Sequence, residues 1–250
     1  MLTRQIRLVT GLILFVYVSS HLINHALGII SINTLSDGRE IFVNIWRNWP
    51  ATILLYGSIL IHIALGLWKV YTSNKLQLKS KKLLQIISGL LVPFLLAEHV
   101  LGTRGLNLFF GVNDDYIYEA LILWIYAPDK GITQAVLLII AWIHGCIGIH
   151  FWISAKPYYN EIKRFLLLIA IIVPLGAVSG LLITAISIED LVRDTQKLES
   201  ITAHINWPNM NAVEWVNDWK LIIWKAFGGV VLLTLLGRLY RIYLTPKKIK

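Results

Sequence analysis

Long apolar runs alternate with short polar breaks along the 250-residue chain, and the runs have helical length. A helix needs roughly 20 apolar residues to span a bilayer. Six segments reach that length, at about residues 6–30, 51–72, 83–103, 131–154, 163–186 and 220–243. The expected fold is all-α and integral to the membrane, a single membrane domain over 1–250. Within it, 1–160 is expected to form a four-helix core and 161–250 to add two further transmembrane helices. The breaks at 73–82 and 155–162 are short and basic, which predicts that the first four segments are antiparallel neighbours in an up-down-up-down bundle.

The connections on the other side are longer. Residues 31–50 carry Asn, Asp, Gly, Trp46 and Trp49, the composition of an interfacial loop. Tyr116–Tyr126 is apolar and aromatic but too short to span, so it reads as an interfacial or re-entrant helix. Residues 187–219 open on a charged amphipathic run and include Trp207, Pro208 and Trp215, as expected of a loop capping the outer face. Pro93 and Pro174 predict kinks in the third and fifth segments. No internal repeat is evident. The first apolar run has no small-residue cleavage site after it and reads as a retained helix, not a signal peptide.

Composition narrows the class further. Charged residues make up 15% of the chain and hydrophobic ones 56%, whereas a soluble domain carries about 25% charge. The net charge is +9, and its distribution carries the information. With a cytoplasmic N-terminus, the inner side holds Arg4, Arg7, Lys69, Lys75, Lys79, Lys81, Lys82, Lys156, Lys163, Arg164, Arg238, Arg241, Lys247, Lys248 and Lys250, against Glu161. That asymmetry predicts that both termini are cytoplasmic. Cations at helix ends fit membrane lipid and leave no need for a nucleic-acid partner. Cys146 is the single cysteine, which excludes an intrachain disulfide and an iron–sulfur cluster built from this chain alone.

His21, His62, His99 and His144 fall one apiece in the first four segments. An intramembrane histidine is costly and marks a functional site. At about 1.5 Å per residue, His21 and His99 lie about 14 and 6 Å below the outer ends of their helices, and His62 and His144 about 17 and 20 Å below the outer surface. Depth and diagonal position agree on two pairs, His21 with His99 and His62 with His144. Paired imidazoles at matched depth point to two haem groups, each ligated from both faces. Without a C-x-x-C-H sequence the haems would be non-covalent, b-type.

Gly66 and Gly148 each follow a ligand by four residues and suit the approach of a flat macrocycle. Arg104 is placed to pair with a propionate, with Arg39 and Arg47 as weaker candidates. His25 is an alternative to His21 or, with His150, a residue of a quinone site. His204 reads as an exposed loop residue. Interhelical hydrogen bonding and proton or metal transport are the competing readings. Transport draws on intramembrane carboxylates, and Glu98 alone is available; it is expected to be protonated or to face a polar cavity. The ferric-reductase pattern, two histidines about thirteen residues apart on each of two helices, is absent.

Thr10–Gly28, TGLILFVYVSSHLINHALG, resembles the first helix of cytochrome b subunits of succinate:quinone oxidoreductases, with His21 matching the ligand and His25 a non-ligand position. IHIALGLWK is similar to their second ligand helix at His62, ISGLLVPFLLAEH to the third at His99, and IHGCIG to the fourth at His144. This resemblance covers roughly residues 6–155. HLINHALG, WRNWPATILLYG, EHVLGTR, FGVNDDYIY and AWIHGCIGIHFW together resemble, over the whole chain, the cytochrome-b-type six-helix membrane anchor of bacterial class III adenylate cyclases. The resemblance implies a homodimer in the bacterial inner membrane with two b haems and a response to membrane redox or quinone state. It also implies a cyclase catalytic domain as effector, with a ferredoxin-like domain between. The sequence departs from that layout by stopping at RLYRIYLTPKKIK, so either an isolated anchor or a stand-alone member is expected, with no cyclase chemistry of its own. An electron-transfer subunit of a quinone oxidoreductase is the alternative reading, and a histidine-based proton transporter a third.

Overall fold

The computed structural model describes residues 2–73 and 79–243, and of Lys197 the backbone alone. Lys75, Lys247, Lys248 and Lys250 lie outside the described residues. Among those described there is no strand, and six helices are long and apolar enough to cross a membrane. The elements are α1 (Leu2–Ala26, continued by a tight turn Leu27–Ile29), α2 (Ile32–Trp46), α3 (Trp49–Tyr71), α4 (Ser80–Val100) and α5 (Leu106–Phe110), followed by α6 (Tyr116–Ala120), α7 (Pro128–Ile153), α8 (Tyr159–Arg193), α9 (Thr195–Thr202) and α10 (Met210–Tyr243). Wider π-type turns, Leu101–Gly105 and Leu121–Tyr126, extend α4 into α5 and α6 toward α7. The long helices are α1, α3, α4, α7, α8 and α10.

Two expected loops are helical. Residues 32–46 form α2, started by Ser31, whose hydroxyl accepts the Thr34 N–H at 3.0 Å. The expected outer loop 187–219 shrinks from both sides. α8 runs on to Arg193, carrying Ile188 into the core and pairing Arg193 with Glu189 and Asp190 on its own surface. α10 starts at Met210 behind Asn209, which accepts the Ala212 N–H at 2.9 Å. The segment 116–126 is helical and too short to span, in agreement with expectation.

Packing departs from a simple square of four. α1 packs on α3, α7 and α8, and α4 packs on α7. α3 and α4, although joined by 73–82, are not packed along their lengths. α10 stands between them and touches both. Its Trp224 indole donates to the Phe94 carbonyl at 2.8 Å, and Phe227 meets the Phe94 ring at 5.0 Å. Arg238 and Arg241 donate to the carbonyls of Ser73 and Tyr71. The described residues therefore start, with α1, and finish, with α10, at one end of the bundle, the terminal end. α2, α6 and α9 cover the other, the loop end.

α8 reaches α1 through a small-residue stripe, Gly176–Gly180, a spacing that lets backbones approach closely. A Cβ on Gly28 would stand 2.7 Å from the Gly180 carbonyl, and one on Gly180 would run into the His25 carbonyl. Pro174 leaves the Ala170 carbonyl without its helical donor. The Trp142 indole supplies one at 2.9 Å, which ties α7 to α8.

Candidate functional site: two imidazole pairs

Imidazoles from α1, α3, α4 and α7 meet inside the bundle in two pairs, those the sequence suggests. The His62 and His144 ring centroids lie 6.3 Å apart, and those of His21 and His99 lie 5.9 Å apart. Two metal–imidazole bonds of about 2.0–2.1 Å, with each ring's own radius added, place ring centroids about 6 Å apart. Neither pair belongs to a group of three or more His, Cys, Asp or Glu able to hold a bare metal ion among the described residues. A pair of imidazoles would suit an iron whose remaining positions a macrocycle fills.

The pair nearer the terminal end is set by its neighbours. His62 Nδ1 lies 3.2 Å from the Arg7 carbonyl and 3.2 Å from Thr10 Oγ1. His144 Nδ1 lies 3.1 Å from the Gln85 carbonyl and 3.2 Å from Ser88 Oγ. A carbonyl can only accept, so each Nδ1 carries the hydrogen and each Nε2 keeps its lone pair, which at His144 lies 3.4 Å from the Gln85 amide nitrogen. That is the orienting bond a metal-bound histidine ordinarily makes through its second nitrogen. Glycine leaves room for each ring. A Cβ on Gly11 would stand 2.9 Å from His62 Cε1, and one on Gly89 would stand 2.6 Å from His144 Cε1.

These contacts reveal a repeat that the sequence reading misses. Thr10–Gly11 precedes His21, and Ser88–Gly89 precedes His99, each hydroxyl residue by eleven positions. The hairpins α1–α3 and α4–α7 share one plan. A hydroxyl–glycine pair on the first helix seats the histidine of the second, and the first helix carries its own histidine three turns later. The shared spacing is the signal that could have shown it.

The loop-end pair is more open and more polar. His21 faces His99, while its Nε2 lies 3.2 Å from His25 Nε2. The Nδ1 atoms of both His21 and His25 are buried without a partner. The Gln134 side chain hydrogen-bonds His99. A cavity lined by His21, His25, His99, Arg39, Arg47, Arg104, Tyr56, Asp114, Tyr116 and Glu119 opens around this pair. Asp114, 3% exposed, accepts from Arg39 at 2.7 Å and from both terminal nitrogens of Arg47. Arg104 donates to Asn107 at 3.1 Å, and among the described residues no carboxylate pairs with it.

Glu119 is the residue that the sequence does not single out. Its Oε1 is buried and has no hydrogen-bond partner. Burial, then the negative charge of Asp114, pushes its carboxyl up from 4.5 to about 8. Glu98, expected to be protonated or to face a polar cavity, is not on the wall of the loop-end cavity, and Lys130 at 3.2 Å and Lys220 at 3.4 Å are its counter-ions. His150 sits at the terminal end with its Nδ1 3.0 Å from Tyr159 Oη, far from the cavity that holds His25 and Arg104. His204 is exposed, as expected.

The residues present fit haem. Open space faces Gly57, Gly66 and Gly102, where an added Cβ would meet nothing within 4 Å. Gly148 is less open, with the Gln85 amide 3.5 Å from the position of its Cβ. Searches against protein-family models, curated proteins and solved structures returned no match.

Proposed function

We propose that this chain is a di-haem b-type cytochrome of a bacterial inner membrane, with both termini cytoplasmic. His21 with His99, and His62 with His144, would hold the two irons, and Arg104 would pair with a propionate. The observation that carries the reading is the two imidazole pairs at 5.9 and 6.3 Å, one of them with both Nδ1 atoms engaged by backbone carbonyls. Bound there, haem supplies a one-electron couple. The chain's part is to fix the imidazoles, exclude water and supply charge around the cavity.

The resemblance to class III cyclase anchors extends the proposal to a redox or quinone sensor, acting as a homodimer on a cytoplasmic cyclase domain. α10 supports that role. It packs on both α3 and α4, each carrying one ligand, and its Lys220 holds Glu98, the residue before His99. A charge change between the helices acts strongly at low dielectric, and α10 is placed to pass a shift to whatever follows it. A dithionite-reduced minus oxidised spectrum with a pyridine haemochrome tests the cytochrome reading. Two b haems per chain with sharp low-spin bands are expected, and no haem after supplemented expression would overturn it. For the sensor role, cyclase activity fused or added in trans should change with applied potential. Co-purification of a flavoprotein and an iron–sulfur subunit would instead favour an electron-transfer complex.

A further inference from the structure

The loop-end cavity is lined by two carboxyls with different fates, a buried one at Asp114 and a half-buried one at Glu119. Asp114 is committed to Arg39 and Arg47. Glu119, on the same cavity wall, has a buried oxygen with no partner. A buried carboxyl oxygen without a partner is costly, and this one shares its cavity with an imidazole pair whose iron would change charge. We propose that Glu119 is the proton acceptor that accompanies electron entry at the His21–His99 pair. This rests on the cytochrome reading above.

Charge counting supports the assignment. Among the residues lining the cavity, three guanidiniums, Arg39, Arg47 and Arg104, face one committed carboxylate, Asp114. The surplus of positive charge matches two propionates. What remains is the bis-imidazole iron porphyrin, positive by one when ferric and neutral when ferrous. With Glu119 ionised in the ferric state and protonated in the ferrous state, the cavity is neutral in both. For each electron delivered, by a membrane hydroquinone or a chemical reductant, iron(III) becomes iron(II) and one proton adds to the Glu119 carboxylate. A hydroquinone releases that proton as it is oxidised, and with a chemical reductant it comes from water at the loop end.

The titratable groups around Glu119 are few. Asp114 and Asp115 come from the preceding turn, Arg39 and Arg47 from α2 and its end. His25 of α1 and Tyr116 of α6 line the same cavity, to which α8 gives Leu181 and Thr184. None of the other acids is both buried and unpartnered among the described residues.

Potentiometric titration of the full haem-loaded chain between about pH 5.5 and about pH 9.5 tests the proposal, across the range where the raised carboxyl titrates. One of the two couples is expected to shift tenfold in its reduction equilibrium per pH unit, about 59 mV for one electron. Glu119→Gln should flatten that couple and leave the other in place, while Glu119→Asp should keep a slope. In the haem-free protein, infrared spectroscopy should find a protonated carboxyl band at neutral pH that Glu119→Gln removes. Haem uptake with no pH-dependent couple, or a slope that survives Glu119→Gln, overturns this proposal alone. No haem uptake by the parent chain overturns the cytochrome reading and this proposal together, with the infrared band still reporting the buried acid.

Discussion

The two imidazole pairs are built from the same hairpin plan but sit in opposite surroundings. At the terminal-end pair, the Nδ1 of both rings is already engaged, by carbonyls and hydroxyls one helix away. At the loop-end pair, the neighbours are charged, and buried polar atoms on His21, His25 and Glu119 have no partner, against Gln85 Oε1 alone beside the terminal-end pair. The first arrangement fixes a ring and a tautomer. The second leaves capacity for something that arrives, whether a charge, a proton or a ligand. The comparison teaches that a repeat can hold geometry constant while its surroundings separate a static site from a responsive one.

Removing a ligand should break the comparison outright. His62→Ala or His144→Ala is expected to reduce haem from two per chain to one, and His21→Ala or His99→Ala to remove the other. Pyridine haemochrome counts with separate potentiometric waves will check it. Asp114→Asn comes next. It leaves two arginines facing a buried site, and breaking a buried pair from one side costs about 3–5 kcal/mol, less here because both arginines are partly exposed. Thermal unfolding in detergent should show a loss at the loop end, with His62–His144 haem retained.

Glu119→Gln should separate the pairs by pH. The folded-state carboxyl is pushed up to about 8, above its ordinary value of 4.5. A raised acid contributes its stability in full below the unfolded value and loses it as pH climbs through the folded one. The variant should therefore melt higher than the parent above about pH 8 and lose that advantage toward about pH 4.5. Gly66→Ala should leave the haem-free protein nearly unchanged, since the added Cβ meets nothing within 4 Å, yet lower occupancy of the His62–His144 site. Equal effects with and without haem would sink the idea that this space belongs to a macrocycle. The smallest change expected is from Thr10→Val and Ser88→Val. A hydrogen bond of this kind is worth about 1 kcal/mol, and the carbonyl partners remain. A modest change in low-spin line shape at one haem, with the other untouched, would mark these residues as positioning groups.

Much of this architecture was legible in the sequence, for physical reasons that also explain the gaps. Apolar runs report lipid-length helices directly, so the spans were found and their ends were not. α10 begins ten residues before its expected start because Asn209 caps it, while Glu214 and Asp218 hide that first stretch from a hydropathy reading. α2 hides in a polar segment whose buried Leu35 and Ser31 cap were available clues. Helix rise alone paired the histidines by depth. Which face of α1 meets His62 depends on how helices rotate against one another, so Thr10 and Gly11 stayed silent. The α3–α4 neighbourhood failed because a short connection limits distance without guaranteeing contact, and Trp224 and Phe227 of α10 fill the gap. Glu119 could not be found because its burial is made by α2 and α8 closing over a segment that in sequence looks interfacial.

The wedge formed by α10 also has a meaning in time. Of the six long helices this one is synthesised last, yet it closes the side between α3 and α4, the helices that carry His62 and His99. At synthesis rates of about 5–20 residues per second, the stretch from the end of α7 to the end of α10 takes on the order of ten seconds. Throughout that interval the four histidine-bearing helices lack the wall that α10 makes. On the proposed cytochrome reading, a bulky, flat, lipid-soluble group would have its broadest lateral entrance then, and order of synthesis would set order of loading.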